Sequence, residues 1–165
     1  MTNSSVSAFL PFTPEPGNLY RLSADINCVG GSNADWISLG FANGTNTGSA
    51  WHTRNSPVGW LLARDAGSAS EGQTFSGPGT SGVNGTGLHP TGVMNYTVIL
   101  DTRPANPGAW TFAFLVNSNV VQAATAFGGS GPAISSVGMG MSAAGGSGYV
   151  KHFTLTSARE LPPNK

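Results

Sequence analysis

The stretch Asn95 to Gln122, NYTVILDTRPANPGAWTFAFLVNSNVVQ, constrains the fold more than any other part of the chain. Its first run sets Tyr96, Val98 and Leu100 against Asn95, Thr97, Ile99 and Asp101, the two-residue alternation of a half-buried strand. Its second run, Ala109 to Val116, sets Trp110, Phe112, Phe114 and Val116 against Ala109, Thr111, Ala113 and Leu115. Both faces of this second run are apolar, so it is expected either to be covered on both or to lie in the middle of a sheet whose outer face meets something else. Asn117-Ser118-Asn119 then makes a tight connection into Val120 to Ala123, because Asn and Ser tolerate turn conformations. The three runs predict an antiparallel meander.

The same period recurs elsewhere. Leu19 to Cys28 and Trp36 to Ala42 alternate on either side of a Gly-Gly-Ser-Asn-Ala-Asp turn and are expected to form a second hairpin, with Ile37, Leu39 and Phe41 on one face. Gly40 marks a bend or leaves room for a large ring. Val58 to Arg64, Gln73 to Phe75, Ala133 to Ser142 and Tyr149 to Thr156 add further strands, and Ser5 to Leu10 forms a short one in an amino-terminal arm. No stretch has helical periodicity. About ten strands separated by turn signals predict an all-β fold, a two-sheet antiparallel jelly-roll sandwich. Residues 1–17 read as an arm and Pro-rich connector, 18–158 as the domain and 159–165 as a tail.

Composition agrees. The 24 glycines and 11 prolines of the 165 residues, interleaved with Ser, Thr and Asn, suit short strands and turns. Charged residues are 8% of the chain and cancel, seven basic against seven acidic, so nothing attracts nucleic acid or an anionic membrane. Such a surface is the kind found on extracellular or cell-surface β-proteins, and it points to neutral partners. No apolar run has the length of a membrane span, and the amino end lacks the basic region and uninterrupted apolar run of a signal peptide. Cys28 stands alone and reads as a small buried apolar residue.

Tyr96-Thr97-Val98-Ile99-Leu100-Asp101, followed by Trp110-Thr111-Phe112-Ala113-Phe114-Leu115-Val116-Asn117, resembles the core hairpin of the laminin-G-like and concanavalin-A-like lectin and glucanase jelly rolls. Gly148 to Leu155 is similar to the last strands of that family, and Leu22 to Ala42 to the opening strands of its bacterial extracellular members. Ser118 stands where the family carries glycine. The resemblance covers most of Leu19 to Ser157 and implies the sandwich.

The family's catalytic branch works with acids clustered on one strand, since glycoside cleavage needs two carboxyls about 5–10 Å apart. Here Glu15, Glu71, Glu160, Asp25, Asp35, Asp65 and Asp101 never share one face of one strand, and His52, His89 and His152 lack a nucleophile-elbow context, so no enzyme is expected. The most ligand-like residues are Trp51, His52, Arg54 and Asn55, with Trp60 on the strand that follows. An indole offers a platform for the C–H face of a sugar while the polar groups bond its hydroxyls. The same Trp could instead close one end of the sandwich with Arg54 stacked on it. The resemblance also implies a calcium option at Asp35, Asp65 and Asp101, which sit at strand ends. Asn3, Asn43, Asn84 and Asn95 head Asn-x-Ser/Thr triplets. Two functions follow as expectations: a non-catalytic extracellular binding or adhesion module for a neutral glycan or surface polymer, or a structural subunit that self-assembles into a fibre, sheet or shell through its arm.

Overall fold

Even-numbered residues of the first two strands of the meander point into the core and odd-numbered ones away from it. Met94, Tyr96, Val98 and Leu100 are buried on one strand and Phe112, Phe114 and Val116 on the next, while Asn95, Ile99, Asp101, Thr111, Ala113 and Leu115 are half-buried. The computed structural model describes residues 6–29, 36–44, 57–64, 73–75, 92–142 and 147–159. They form ten strands: β1 (Val6–Pro11), β2 (Asn18–Val29), β3 (Trp36–Ala42), β4 (Pro57–Arg64), β5 (Gln73–Phe75), β6 (Met94–Asp101), β7 (Thr111–Val116), β8 (Asn119–Ala126), β9 (Ser136–Ser142) and β10 (Ser147–Arg159). Among the described residues the only helical piece is a single 3₁₀ turn, Pro107–Ala109.

Two five-stranded antiparallel sheets result. Sheet A runs β1-β9-β3-β4-β5 and sheet B runs β10-β2-β6-β7-β8. Between them lie Ile37, Leu39, Phe41, Leu61 and Val137 from sheet A and Leu22, Ile26, Tyr96, Val98, Leu100, Phe112 and Phe114 from sheet B. The all-β sandwich expected from the alternation is the observed fold. Cys28 is buried on the core side of β2.

One local expectation is corrected. β2 and β3 do not form a hairpin, because β2 pairs with β6 and β10 in sheet B while β3 pairs with β4 and β9 in sheet A. Stacked sheets lie about 10 Å apart, and the link between these strands is long enough to cross that gap. The strand covered on both faces is β3, buried at all seven positions, whereas β7 alternates between buried and half-buried. Ala113 and Leu115 are apolar on the outward face but small or peripheral enough to remain partly solvated.

The β7–β8 turn is Asn117-Ser118, both with positive φ (48° and 66°), the left-handed pair of a two-residue hairpin. Asn117 ties this turn to β6, its N–H donating to the Asn95 carbonyl (2.8 Å) and its Oδ1 accepting from the Asn95 N–H (2.8 Å).

The amino-terminal arm pairs with its own chain, β1 lying antiparallel to β9. The connector behind it is pinned. Phe12 packs edge-on to Tyr20 at 5.1 Å and against Phe41 at 5.6 Å. Thr102 Oγ1 donates to the Glu15 carbonyl at 2.7 Å.

Candidate functional site

On β3 the outward positions are Trp36, Ser38, Gly40 and Ala42, opposite Ser142, Gly140, Gly138 and Ser136 of β9. All the described side chains in this set are small except Trp36, and Ser38 and Ala42 are 0% exposed. Ser38 Oγ donates to the Gly140 carbonyl at 3.2 Å, which satisfies the hydroxyl without a neighbour from outside the sheet. The floor is tight laterally as well. A Cβ on Gly138 would lie 2.4 Å from the Ala8 carbonyl oxygen, so β1 can dock there only on glycine. Gly40 stands opposite both Gly138 and position 60, which puts Trp60 in register with the narrowest part of this floor.

The connection carrying Trp51, His52, Arg54 and Asn55 leaves this sheet from Ala42 and returns at Pro57. Those four residues lie outside the described residues, as do Asp35, Asp65, His89, Asn3 and Asn84, and the side chain of Trp60 lies outside them too. The root of the connection is described and is firmly held. Gly44 N–H donates to Ser135 Oγ at 2.9 Å, Ser136 Oγ donates to the Gly44 carbonyl at 2.5 Å, and Ser135 N–H donates to the Ala42 carbonyl at 2.9 Å.

Sheet B presents a different outward face. Arg21, Ser23, Asp25 and Asn27 of β2 run beside Asn95 and Thr97 of β6 and beside Tyr149, Lys151 and Thr154 of β10. Asp25 is the hub. His152 Nδ1 bonds its Oδ2 at 2.7 Å and Asn95 Nδ2 donates to its Oδ1 at 2.8 Å. These bonds, the one from His152 foremost, hold the Asp25 carboxyl below the ordinary carboxylate value. His152 reaches Asp25 because β10 bulges between Lys151 and Thr154, with His152 itself at φ 52°. Asn27 Oδ1 is buried without a hydrogen-bond partner. This cluster was not singled out in the sequence. The outward parity of Asp25 and Asn95 was its one visible signal, and the bulge that adds His152 left none.

Asp101 is taken by Arg103, with Nε to Oδ1 at 2.9 Å and Nη2 to Oδ2 at 2.6 Å, and this pairing lowers its pKa. A cation at Asp101 would have to displace that guanidinium. Among the described residues no three His, Cys, Asp or Glu side chains gather as metal ligands. The acidic side chains described are Glu15, Asp25 and Asp101, and the two aspartates are each tied to a partner. Trp110 is buried, as expected, and donates through Nε1 to the Pro104 carbonyl at 3.1 Å.

No family model matches this sequence, and no curated protein sequence does. Solved structures do match the fold. The crystal structure of the Emp47p carbohydrate recognition domain is similar at a TM-score of 0.60, with 14% identity over 96% of this chain and 80% of that one. The Emp46p carbohydrate recognition domain, in a potassium-bound form, is similar at a TM-score of 0.56, with 11% identity over 94% of this chain and 79% of that one. At these identities the likeness concerns the fold alone, a two-sheet antiparallel β-sandwich.

Proposed function

We propose that the chain is a non-catalytic extracellular module that recognises a neutral glycan or surface polymer, with Trp51, His52, Arg54, Asn55 and Trp60 supplying the contacts. The observation that carries this reading is the hydrogen-bonded root at Gly44, Ser135 and Ser136 from which the aromatic connection leaves sheet A. A sugar ring needs an aromatic platform with polar groups beside it, and the residue types of the connection fit both needs. The carbohydrate recognition domains that share the fold add support. So does the near absence of charge, which matches a neutral ligand.

A module of this kind needs no paired carboxylates, and the described aspartates are bound to His152, Asn95 and Arg103. The self-assembling alternative requires the arm to leave β9 for a neighbour, and its pairing within its own chain favours the binding module.

The test is a glycan array, followed by calorimetry of the best hit against the wild type and Trp51→Ala. Binding weakened at least tenfold by the substitution, with unchanged thermal stability, is the expected result. An array without hits, or a Trp51→Ala protein that binds as tightly, would overturn the assignment.

A further inference from the structure

The last strand of a sheet turns a row of backbone groups toward whatever lies beyond it, and among the described residues β1, β5, β8 and β10 hold that position. Three of these edges are blunted. β5 is three residues long, the register of β8 with β7 shifts on both sides of Phe114, and β10 is broken between Lys151 and Thr154. β1 is not blunted in this way. It keeps one register with β9 from Val6 to Pro11, and its sequence, VSAFLP, has no charge. Phe12 N–H donates to the Ser135 carbonyl at 3.0 Å, so the even-numbered residues of β1 direct their backbone groups at β9 and Phe9 turns its N–H and C=O to the outer edge. The side chains are unfinished at the same place. Ala8 and Leu10 share the core-facing parity of Met139 and Val137, yet Leu10 is 59% exposed, and a cavity of about 230 Å³ lined by Ala8, Leu10, Val137, Met139 and Phe153 is left where the sheets part.

We infer that the partner of this edge is a second copy of the chain, its β1 antiparallel to the first about a twofold axis at Phe9. β1 is self-complementary in that arrangement. Phe9 of each copy gives its N–H to the Phe9 carbonyl of the other, and Leu10 of each lies opposite Ala8 of the other, a large side chain against a small one on the face where the cavity opens. No like charges oppose each other, and Pro11, which has no N–H, stands at the end of the strand where a missing donor matters least. The arm stays on β9 throughout, so the contact needs no exchange of strands and closes at two copies. Two six-residue strands bury less than the roughly 1,000 Å² of a stable complex, so the association is weak, with a dissociation constant on the order of 100 µM. The twofold axis stands perpendicular to the joined sheets, so the outward faces of both copies of sheet A turn the same way. On the reading of Trp51 and its neighbours given above the dimer is bivalent, but the dimer itself does not rest on that reading.

Sedimentation equilibrium between about 5 and 500 µM tests the inference. The wild type should pass from monomer toward dimer across that range, and hydrogen exchange at the Phe9 amide, followed by NMR, should slow as the dimer fills. Leu10→Lys should weaken the association at least tenfold while leaving the melting temperature of the monomer unchanged, because the Leu10 side chain lies mostly in solvent. A wild type that stays monomeric at about 500 µM, a dimer that Leu10→Lys leaves intact, or a Phe9 amide whose exchange ignores concentration would overturn it. The exchange measurement uses the wild type alone, so it decides the matter even if Leu10→Lys disturbs folding.

Discussion

Ser38 in sheet A and Ser23 in sheet B both point outward from central strands of the same sandwich. Ser38 is fully buried and donates to the Gly140 backbone, while Ser23 shares a 2.9 Å hydrogen bond with Thr154 on a half-open surface. The residue type is the same and the environment is opposite. On sheet A a small hydroxyl residue marks a place where something else comes close to the strand. On sheet B it is one member of a hydrogen-bonded polar layer that water can reach. The outward face that is covered is therefore the one whose residues are smallest, and the number of polar atoms is a poor guide to it.

The strongest way to break this contrast is a matched pair of substitutions. Ser38→Leu should cost about 2–4 kcal/mol, from overpacking and the lost hydrogen bond, and Ser23→Val should stay within about 0.5 kcal/mol. Denaturant unfolding measures both, and equal costs would erase the distinction. A smaller effect sharpens the account of sheet B. Ser118 holds a left-handed φ of 66°, so Ser118→Gly should stabilise the β7–β8 hairpin by about 0.5 kcal/mol, visible as a rise of about 1–2 °C in Tm. The smallest effect concerns Asp25, whose carboxyl should titrate below 3.8 when followed by NMR. A carboxyl pKa depressed by folding adds stability above the unfolded value, and that stability disappears as pH falls through the folded value. The acid limb of the stability curve should therefore flatten in Asp25→Asn, and an Asp25 that titrates at 3.8 or above would remove the polar layer's electrostatic character.

Much of the sandwich could be read in advance because period-two alternation survives wherever one face meets the core. Tyr96, Val98 and Leu100, and Ile37, Leu39 and Phe41, were assigned to the right faces on that ground alone. Partner choice was not readable from it. Alternation reports which way a side chain points and carries no information on which sheet receives the strand, so β2 and β3 looked like a hairpin. The strand covered on both faces was not readable for a related reason. β3 hides its second face behind Ser38, Gly40 and Ala42, which look solvent-facing by type, while the apolar Ala113 and Leu115 drew attention to β7. Of the candidate site, the aromatic connection was found as a cluster of residue types, and its root at Ser135 and Ser136 was not. Those bonds join residues more than ninety positions apart. The Asp25–His152 pair spans 127 positions and depends on a bulge, which composition and period cannot announce.

That bulge has a further consequence. β10 is thirteen residues long and lies at the end of sheet B, so its outer backbone groups offer a long template on which another extended chain could polymerise. The kink at His152 breaks the template into two short halves, and the charge of Lys151 sits beside the break. One residue in a left-handed conformation thus leaves this long border without an unbroken row of backbone groups.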